Sequence, residues 1–298
     1  VGVVVVTAFT YVARAWRWGY LLAPLGHVPL PRLFSVTVIG FMSGLLIPRA
    51  GEVLRPYLVS RSHPIPTSAG FASIVLERVV DLITVLALFA LYLYVLPMPE
   101  QQTRGPLLAA LRVAGIGAAA GALTILGILL LWHRHAARAM GVAERILRPF
   151  PARFAAAAQA AVRSFGDGLA VLKASPSHLA AILGQSLVVW LSIALGISWN
   201  NRAFGLDLPF HSAFLVVAFL TVGVSIPTPG TVGGFHAFYR AALTEAYGVD
   251  NDVAAAAGIA AHALTNLPVL LLGLAFLGRE GLSVSKVANM SEAASEAR

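Results

Sequence analysis

Long unbroken apolar runs dominate this chain, separated by short polar stretches rich in arginine, proline and glycine. The runs are Leu33–Ile47, Phe71–Leu96, Val113–Trp132, Leu179–Trp199, Phe210–Ile226 and Ala254–Leu277, preceded by Val1–Val12. A helix needs about 20 residues to cross a hydrocarbon core of about 30 Å. Phe71–Leu96, Val113–Trp132, Leu179–Trp199 and Ala254–Leu277 reach that length. Val1–Val12 does not. It opens within an apolar run, lacks the charged n-region and cleavage site of a signal peptide, and leads us to expect residues upstream. Leu33–Ile47 and Phe210–Ile226 are also short, and each stops at a proline-bearing turn: Ile47-Pro48-Arg49-Ala50-Gly51 and Ile226-Pro227-Thr228-Pro229-Gly230. Proline removes a backbone donor and glycine relaxes the backbone, so both segments are expected to break there.

Composition turns these runs into a membrane reading. Only 11% of the residues are charged and 58% are hydrophobic, with a mean hydropathy of +0.80. A soluble domain carries about 25% charged residues to wet its surface. The expected fold class is all-α, a polytopic transmembrane helix bundle, because spanning segments must satisfy their backbone internally. A net charge of +8 then reports topology and contact with anionic lipid, not nucleic acid. The chain has no cysteine, so thiolate chemistry is excluded, and no cofactor or metal is expected.

Charge also orders the loops. The section Ala13–Arg32 carries +3, Pro48–Ser68 +2 and His133–Lys173 +5, whereas Asn200–Pro209 sums to zero and His236–Asp252 to −2. All three positive sections fall on the cytoplasmic side only if the two short segments enter and return on the same side. The balance predicts two re-entrant hairpins. They resemble one another: Gly40-Phe41 through Pro48 to Gly51 lines up with Ala218-Phe219 through Pro227 to Gly230. Further on, Ser73-Ile74, Glu77 and Asp81 line up with Gly258-Ile259, His262 and Asn266. With one hairpin entering from each side, this is an inverted repeat, an arrangement that builds a midplane site from broken helices.

The residues 1–278 read as one transmembrane domain. Within it, 133–173 reads as one or two amphipathic helices at the cytoplasmic surface, broken at Pro149 and Pro151, or as a solvated basic linker. The residues 279–298 are polar and Ser/Ala/Glu-rich, and are expected to be disordered.

Candidate chemistry concentrates in two places. Glu77, Arg78 and Asp81 lie about 10–15 Å inside a long apolar helix, with Glu77 and Asp81 on one face and Arg78 and Asp81 able to pair. Ionisable groups at that depth face a cavity or neutralise one another; both readings stand. The tip of the first hairpin carries Arg49, Glu52 and Arg55. Its arginines have the planar fork that suits a phosphate, although Glu52 or Glu77 could equally satisfy them internally.

These residues resemble a known family. Arg14-Ala15-Trp16-Arg17-Trp18, then Pro48-Arg49-Ala50-Gly51-Glu52 with Arg55, then Glu77-Arg78-Val79-Val80-Asp81, is similar to the lysylphosphatidylglycerol synthase transmembrane region, or flippase-like, family. Pro227-Thr228-Pro229-Gly230 with Gly233 is similar to its second signature. The resemblance implies an inner-membrane, multi-pass protein that moves lipids or lipid-linked molecules between leaflets. It also implies one more helix upstream. The family's soluble lysyl-transfer domain has no counterpart in the short stretch after residue 278, so aminoacylation is not expected. His236 stands where the family carries glutamate and His262 where arginine is common. That implies a different head group or titration near neutral pH, though a structural histidine fits as well.

The leading expectation is thus a lipid translocator without catalytic residues. Arg49 and Arg55 would hold phosphate, with Glu52, Glu77 and Asp81 balancing charge or relaying protons and Arg78, Asn266, His236, His262, Pro227, Pro229, Gly230 and Gly233 completing the path. Its partners would be anionic or phosphate-bearing membrane lipids. Two alternatives remain: an intramembrane enzyme acting on a lipid phosphate, and a scaffold recruiting a lipid-modifying enzyme through 133–173. For the enzyme, Ser225 precedes the second turn, but neither a Ser-Arg-Ser-Gly run nor His-Glu-x-x-His is present.

Overall fold

The computed structural model describes residues 1–48, 50–97, 106–147 and 152–281. The described residues form helices joined by turns: α1 (Gly2–Leu22), α2 (Leu30–Leu46), α3 (Ala50–Ser60), α4 (Thr67–Tyr94), α5 (Pro106–Arg134), α6 (Ala136–Leu147), α7 (Ala152–Gly168), α8 (Pro176–Ala203), α9 (Ser212–Gly223), α10 (Gly234–Tyr247) and α11 (Asn251–Arg279). A short 3-10 helix, Leu169–Lys173, links α7 to α8. Local chemistry sets the starts. Ser175 accepts from the His178 amide to cap α8, with Pro176 in its first turn. Asp250 caps α11 by accepting from the amides of Asp252 and Val253, satisfying donors that a helix start leaves orphaned.

Three helices are apolar and long enough to cross a membrane, over Ala109–Leu131, Pro176–Ala203 and Asn251–Arg279. Helix α4 matches α8 at 28 residues but carries Glu77, Arg78 and Asp81. The first apolar run is longer than expected. Instead of ending at Val12, it continues as the 21-residue helix α1, about 30 Å long at 1.5 Å per residue. Arg14 and Arg17, counted above as part of a cytoplasmic loop, therefore lie within a helix and are buried there.

Two helical hairpins organise the bundle. In the first, α2 turns back as α3; in the second, α9 turns back as α10. Each is closed by a pair of glycines eleven residues apart. A Cβ on Gly51 would sit 2.0 Å from the Gly40 carbonyl oxygen, and one on Gly234 would sit 2.2 Å from that of Gly223. No side chain fits at these crossings, so glycine is required by packing. The matching glycines also correct the repeat register. Gly40 corresponds to Gly223 and Gly51 to Gly234, not to Ala218 and Gly230, because backbone contact and not the proline turn is the shared feature.

The repeat extends to the whole arrangement. Helices α1 and α8 pack side by side, α2 packs on α11, and α9 packs on α4; α3 lies on α4 as α10 lies on α11. Exchanging α1 with α8, α2–α3 with α9–α10 and α4 with α11 leaves this pattern unchanged. The central pair is antiparallel: Gly2 meets Trp199, Val6 meets Gly196, Thr10 hydrogen-bonds Ser192 at 2.7 Å and Tyr20 meets His178. The helix ends gather on two faces. One holds Tyr20, His178 and the Arg32–Glu280 ion pair. The other holds Gly2, Trp199 and His211, whose ring bonds the Pro97 carbonyl.

Helices α5, α6 and α7 lie outside this repeat. The segment expected as a surface amphipathic region is helical over α6 and α7, and its break falls on residues 148–151, outside the described ones. Its far end is not a surface element. Helix α7 packs on α4, a Cβ at Gly168 would sit 2.4 Å from the Ala69 carbonyl oxygen, and Leu169 is fully buried. Residues 282–298, most of the expected tail, and Arg49, an expected site residue, also lie outside the described residues.

Candidate functional site

The site begins with Glu77, which α4 carries into the bundle with no exposed surface. Arg55, on α3, meets it with a two-pronged fork, Nη1 to Oε1 at 3.1 Å and Nη2 to Oε2 at 2.9 Å. Arg78 donates to the same carboxylate at 2.7 Å, and Arg17 reaches within 3.6 Å. One turn further along α4, Asp81 accepts from Arg17 at 2.5 Å and from the Trp190 indole at 2.9 Å. Arg14 and Arg78 each stand 3.8 Å from its other oxygen. Hydroxyls extend the network: Arg17 and Thr84 both donate to Ser186, at 2.8 and 2.9 Å, and the Trp18 indole donates to Ser73 at 3.0 Å. Aromatic faces cover the cations, Trp18 at 4.3 Å from Arg55 and Phe41 at 4.9 Å from Arg14.

Burying a charge costs several kcal/mol per ion, recovered only through close pairing and hydrogen bonds. The pairing here is uneven. Four guanidiniums, of Arg14, Arg17, Arg55 and Arg78, surround the two carboxylates of Glu77 and Asp81. The cluster thus carries an excess of positive charge in a poorly hydrated setting, where electrostatic attraction is strengthened.

A cavity of about 620 Å³ opens beside the cluster, between the tips of the two hairpins. The first hairpin and α4 contribute Phe41, Pro48, Glu52, Arg55, Arg78 and Asp81 to its wall. The second contributes Pro227, Thr228, Thr231 and Phe235, and α11 adds Asn266. Of the expected site residues, the structure therefore brings Glu52, Arg55, Glu77, Arg78, Asp81, Pro227 and Asn266 to one place. Glu52 is half-buried and forms no ion pair within 4 Å among the described residues.

The remaining expected residues form a second arrangement behind the turn. Gly230, Thr231 and Gly233 adopt positive φ, at 64°, 56° and 91°, so the chain after Pro229 doubles back sharply. His262 holds that turn through Nε2 to the Gly230 carbonyl at 2.7 Å. His236 accepts from the Gly233 amide at 3.4 Å, and the two imidazoles are 4.7 Å apart. Neither histidine lines the large cavity. His236 and Gly233 instead border an outer groove together with Arg240.

Arg14, Arg17, Trp18, Ser186 and Trp190 were not among the expected site residues. For Arg14, Arg17 and Trp18 the signals were the family-like run Arg14–Trp18 and two arginines three apart, which share one helix face; Ser186 and Trp190 had none.

The fold and site define a membrane protein, helical throughout its described residues, in which paired, glycine-closed hairpins flank a cavity lined by Arg55, Arg78, Glu52 and Asp81. The chain belongs to the family described as lysylphosphatidylglycerol synthase TM region, which matches residues 1–273. It is also similar to Glycosyltransferase AglD of Haloferax volcanii, at 23% identity over 91% of this chain and 47% of that protein. The chain thus spans about half the length of this curated relative. No solved structure matches it.

Proposed function

We propose that this protein translocates a phosphate-bearing lipid, a phospholipid or a lipid-linked molecule, between the leaflets of the inner membrane. The observation that carries this reading is the cavity between the hairpin tips, onto which the arginine cluster opens through Arg55 and the part-exposed Arg78. An anionic head group gains there the counter-charge it loses on leaving water, while the acyl or polyprenyl chain stays in lipid.

In this reading α1, α4, α5, α8 and α11 cross the membrane and the hairpins are re-entrant. Five crossings put α1 and α8 in opposite directions, in keeping with their antiparallel packing. With Arg14 and Arg17 removed from the loop charges, Arg32, Arg61 and the basic segment 133–173 still share one side. The other side carries fewer cations, Arg202 among them, together with Asp207, Asp250 and Asp252, so the Lys/Arg excess falls on one side as the positive-inside rule expects. The hairpins open alternately to each leaflet, and no bond of the lipid is made or broken. The transferase activity in the relative's name is assigned to a protein about twice as long, and no transfer step is assigned here.

Reconstitution tests the reading. Liposomes containing the protein and a head-group-labelled phospholipid, or a labelled polyprenyl phosphate, are exposed to a membrane-impermeant quencher. Label movement above that of empty vesicles, lost in Glu77→Gln at matched folded protein, is expected. No movement with either lipid class overturns the proposal. Release of phosphate from the polyprenyl lipid redirects it to an enzyme.

A further inference from the structure

The four arginines around Glu77 and Asp81 differ in what they bond and in what they face: Arg17 has Nε and Nη2 without hydrogen-bond partners but is fully buried and lines neither cavity, whereas Arg78 and Arg14 each line one. Arg55 spends both terminal nitrogens on Glu77 and lies over the Trp18 ring. Arg17 bonds both Asp81 and Ser186. Arg78 bonds only through Nη2, to Glu77. Its Nη1 stops 3.8 Å from Asp81 Oδ2, and 43% of its side chain is exposed on the cavity wall. Arg14 is nine-tenths buried, its side chain only 9% exposed, and its Nη1 stops 3.8 Å from the same oxygen. Neither Arg14 Nη1 nor Asp81 Oδ2 has any hydrogen-bond partner in the protein. A carboxylate oxygen thus lies between two guanidinium nitrogens and is hydrogen-bonded to neither.

Such a gap is expensive for a protein to leave in its interior. Buried polar atoms are almost always paired, and a charged one without a partner costs more than a neutral one. The surroundings keep Arg14 in place without using its hydrogens. Phe41 and Trp190 lie 4.9 and 5.7 Å from its guanidinium centre, contacts made by ring faces. Arg14 itself lines a smaller cavity of about 190 Å³, and Tyr11, Phe235, Thr265 and Asn266 line both this and the larger one. Arg78 and Arg14 therefore line adjoining cavities, with the Nη1 of Arg14 itself buried at the seam.

Resting on the translocation reading, we infer that Arg78 and Arg14, and not Arg55, receive the phosphate, with Asp81 holding their places between substrates. A phosphate oxygen accepts from both Nη1 groups, replacing two long contacts with short charge-assisted bonds. Arg55 and Glu77 form the fixed strut that ties the first hairpin to α4. This departs from the expectation for Arg55, whose fork is already filled by Glu77; Arg49 lies outside the described residues.

The experiment uses the full chain in a non-ionic detergent, with its unfolding temperature followed during titration. The probes are a short-chain phosphatidic acid, a short-chain phosphatidylglycerol and, as the phosphate-free control, a diacylglycerol of the same chain length. A ligand that binds only the folded state raises the midpoint. The wild-type protein is expected to respond to both phosphate lipids and not to diacylglycerol; comparing the two phosphate lipids separates phosphomonoester from phosphodiester. Arg78→Gln, which alters a partly exposed side chain and leaves the Arg55 fork on Glu77 in place, is expected to lower the midpoint less than Arg55→Gln and to lose about tenfold or more in apparent affinity, the worth of one charge-assisted bond. Arg14→Lys is expected to weaken binding similarly. Arg55→Gln is expected to lower the midpoint while retaining the lipid response. Unchanged binding by Arg78→Gln, or loss of binding confined to Arg55→Gln, overturns the assignment. If wild-type protein binds neither phosphate lipid, the translocation reading falls with it. If it binds through Arg78 yet moves no lipid in liposomes, only the translocation reading falls.

Discussion

Gly51 rests directly on the backbone of Gly40, and Gly234 on that of Gly223, so that each hairpin is closed by two glycines with no side chain between them. This contact sets how closely the two arms approach. It therefore also sets where Arg55, one turn beyond Gly51, meets Glu77. At Gly40, a Cβ would meet Arg55 itself at 2.3 Å. Hairpin closure and placement of the charge cluster are one structural event.

Gly51→Ala and Gly234→Ala are expected to destabilise the protein by at least the 1–3 kcal/mol typical of overpacking, because backbone atoms and not a flexible side chain stand in the way. Gly44→Ala is the control. Its Cβ would have open space, so it is expected to be neutral or to stabilise α2 by up to about 1 kcal/mol through helix propensity. Chemical unfolding in detergent compares the three.

Glu77→Gln leaves Arg17, Arg55 and Arg78 facing one another without their shared carboxylate. Breaking a buried ion pair by removing one partner costs about 3–5 kcal/mol. Adding Arg55→Met, which removes one of the stranded cations, is expected to restore part of that loss. A double-mutant cycle on unfolding free energy reads the coupling; strict additivity of the two substitutions would contradict the strut assignment.

Glu52 lines the cavity without a close ion-pair partner among the described residues. Glu52→Gln is expected to change stability by no more than about 0.5 kcal/mol. Removing its negative charge is expected to tighten binding of phosphate lipids by up to about thirtyfold, since unit charges several ångströms apart interact by about 2 kcal/mol at an effective dielectric of 20. Titration with short-chain phosphatidylglycerol measures the difference.

His262 clamps the second turn through the Gly230 carbonyl. His262→Ala is expected to cost about 0.5–1.5 kcal/mol, the net worth of one hydrogen bond. The loss should appear locally, as faster amide exchange across residues 228–236 and little change in α8. Uniform change across all helices would place the role of His262 elsewhere.

How much of this was legible beforehand differs by element. The helical class, the breaks after Ile47 and Ile226, and the depth of Glu77 and Asp81 all follow from local properties: run length, a proline that cannot continue a helix, and rise per residue. The internal repeat was also visible, but in the wrong register. Proline-glycine pairs are conspicuous in sequence, whereas the contact that defines the repeat involves glycines separated by a turn. The cluster was half legible. Glu77, Arg78 and Asp81 announce themselves by being charged inside an apolar helix, and Arg55 by lying beside the first break. Arg14 and Arg17 instead looked like the edge of a loop, because the apolar run before them seemed too short to be a full helix.

By itself, then, the sequence determined that this chain is helical, belongs in a membrane, breaks two of its helices and carries ionisable groups at depth, since each of these depends on neighbours along the chain. Tertiary structure alone decided that α1 supplies two of the four arginines, that α8 supplies Trp190 and Ser186, and that the Arg55 fork is filled while one terminal nitrogen each of Arg78 and Arg14 is left without a close partner. Those facts depend on which helices lie side by side. Residues 17 and 81, or 14 and 190, share no local pattern; they meet because the antiparallel packing of α1 on α8 and the closure of the first hairpin bring them to the same buried point.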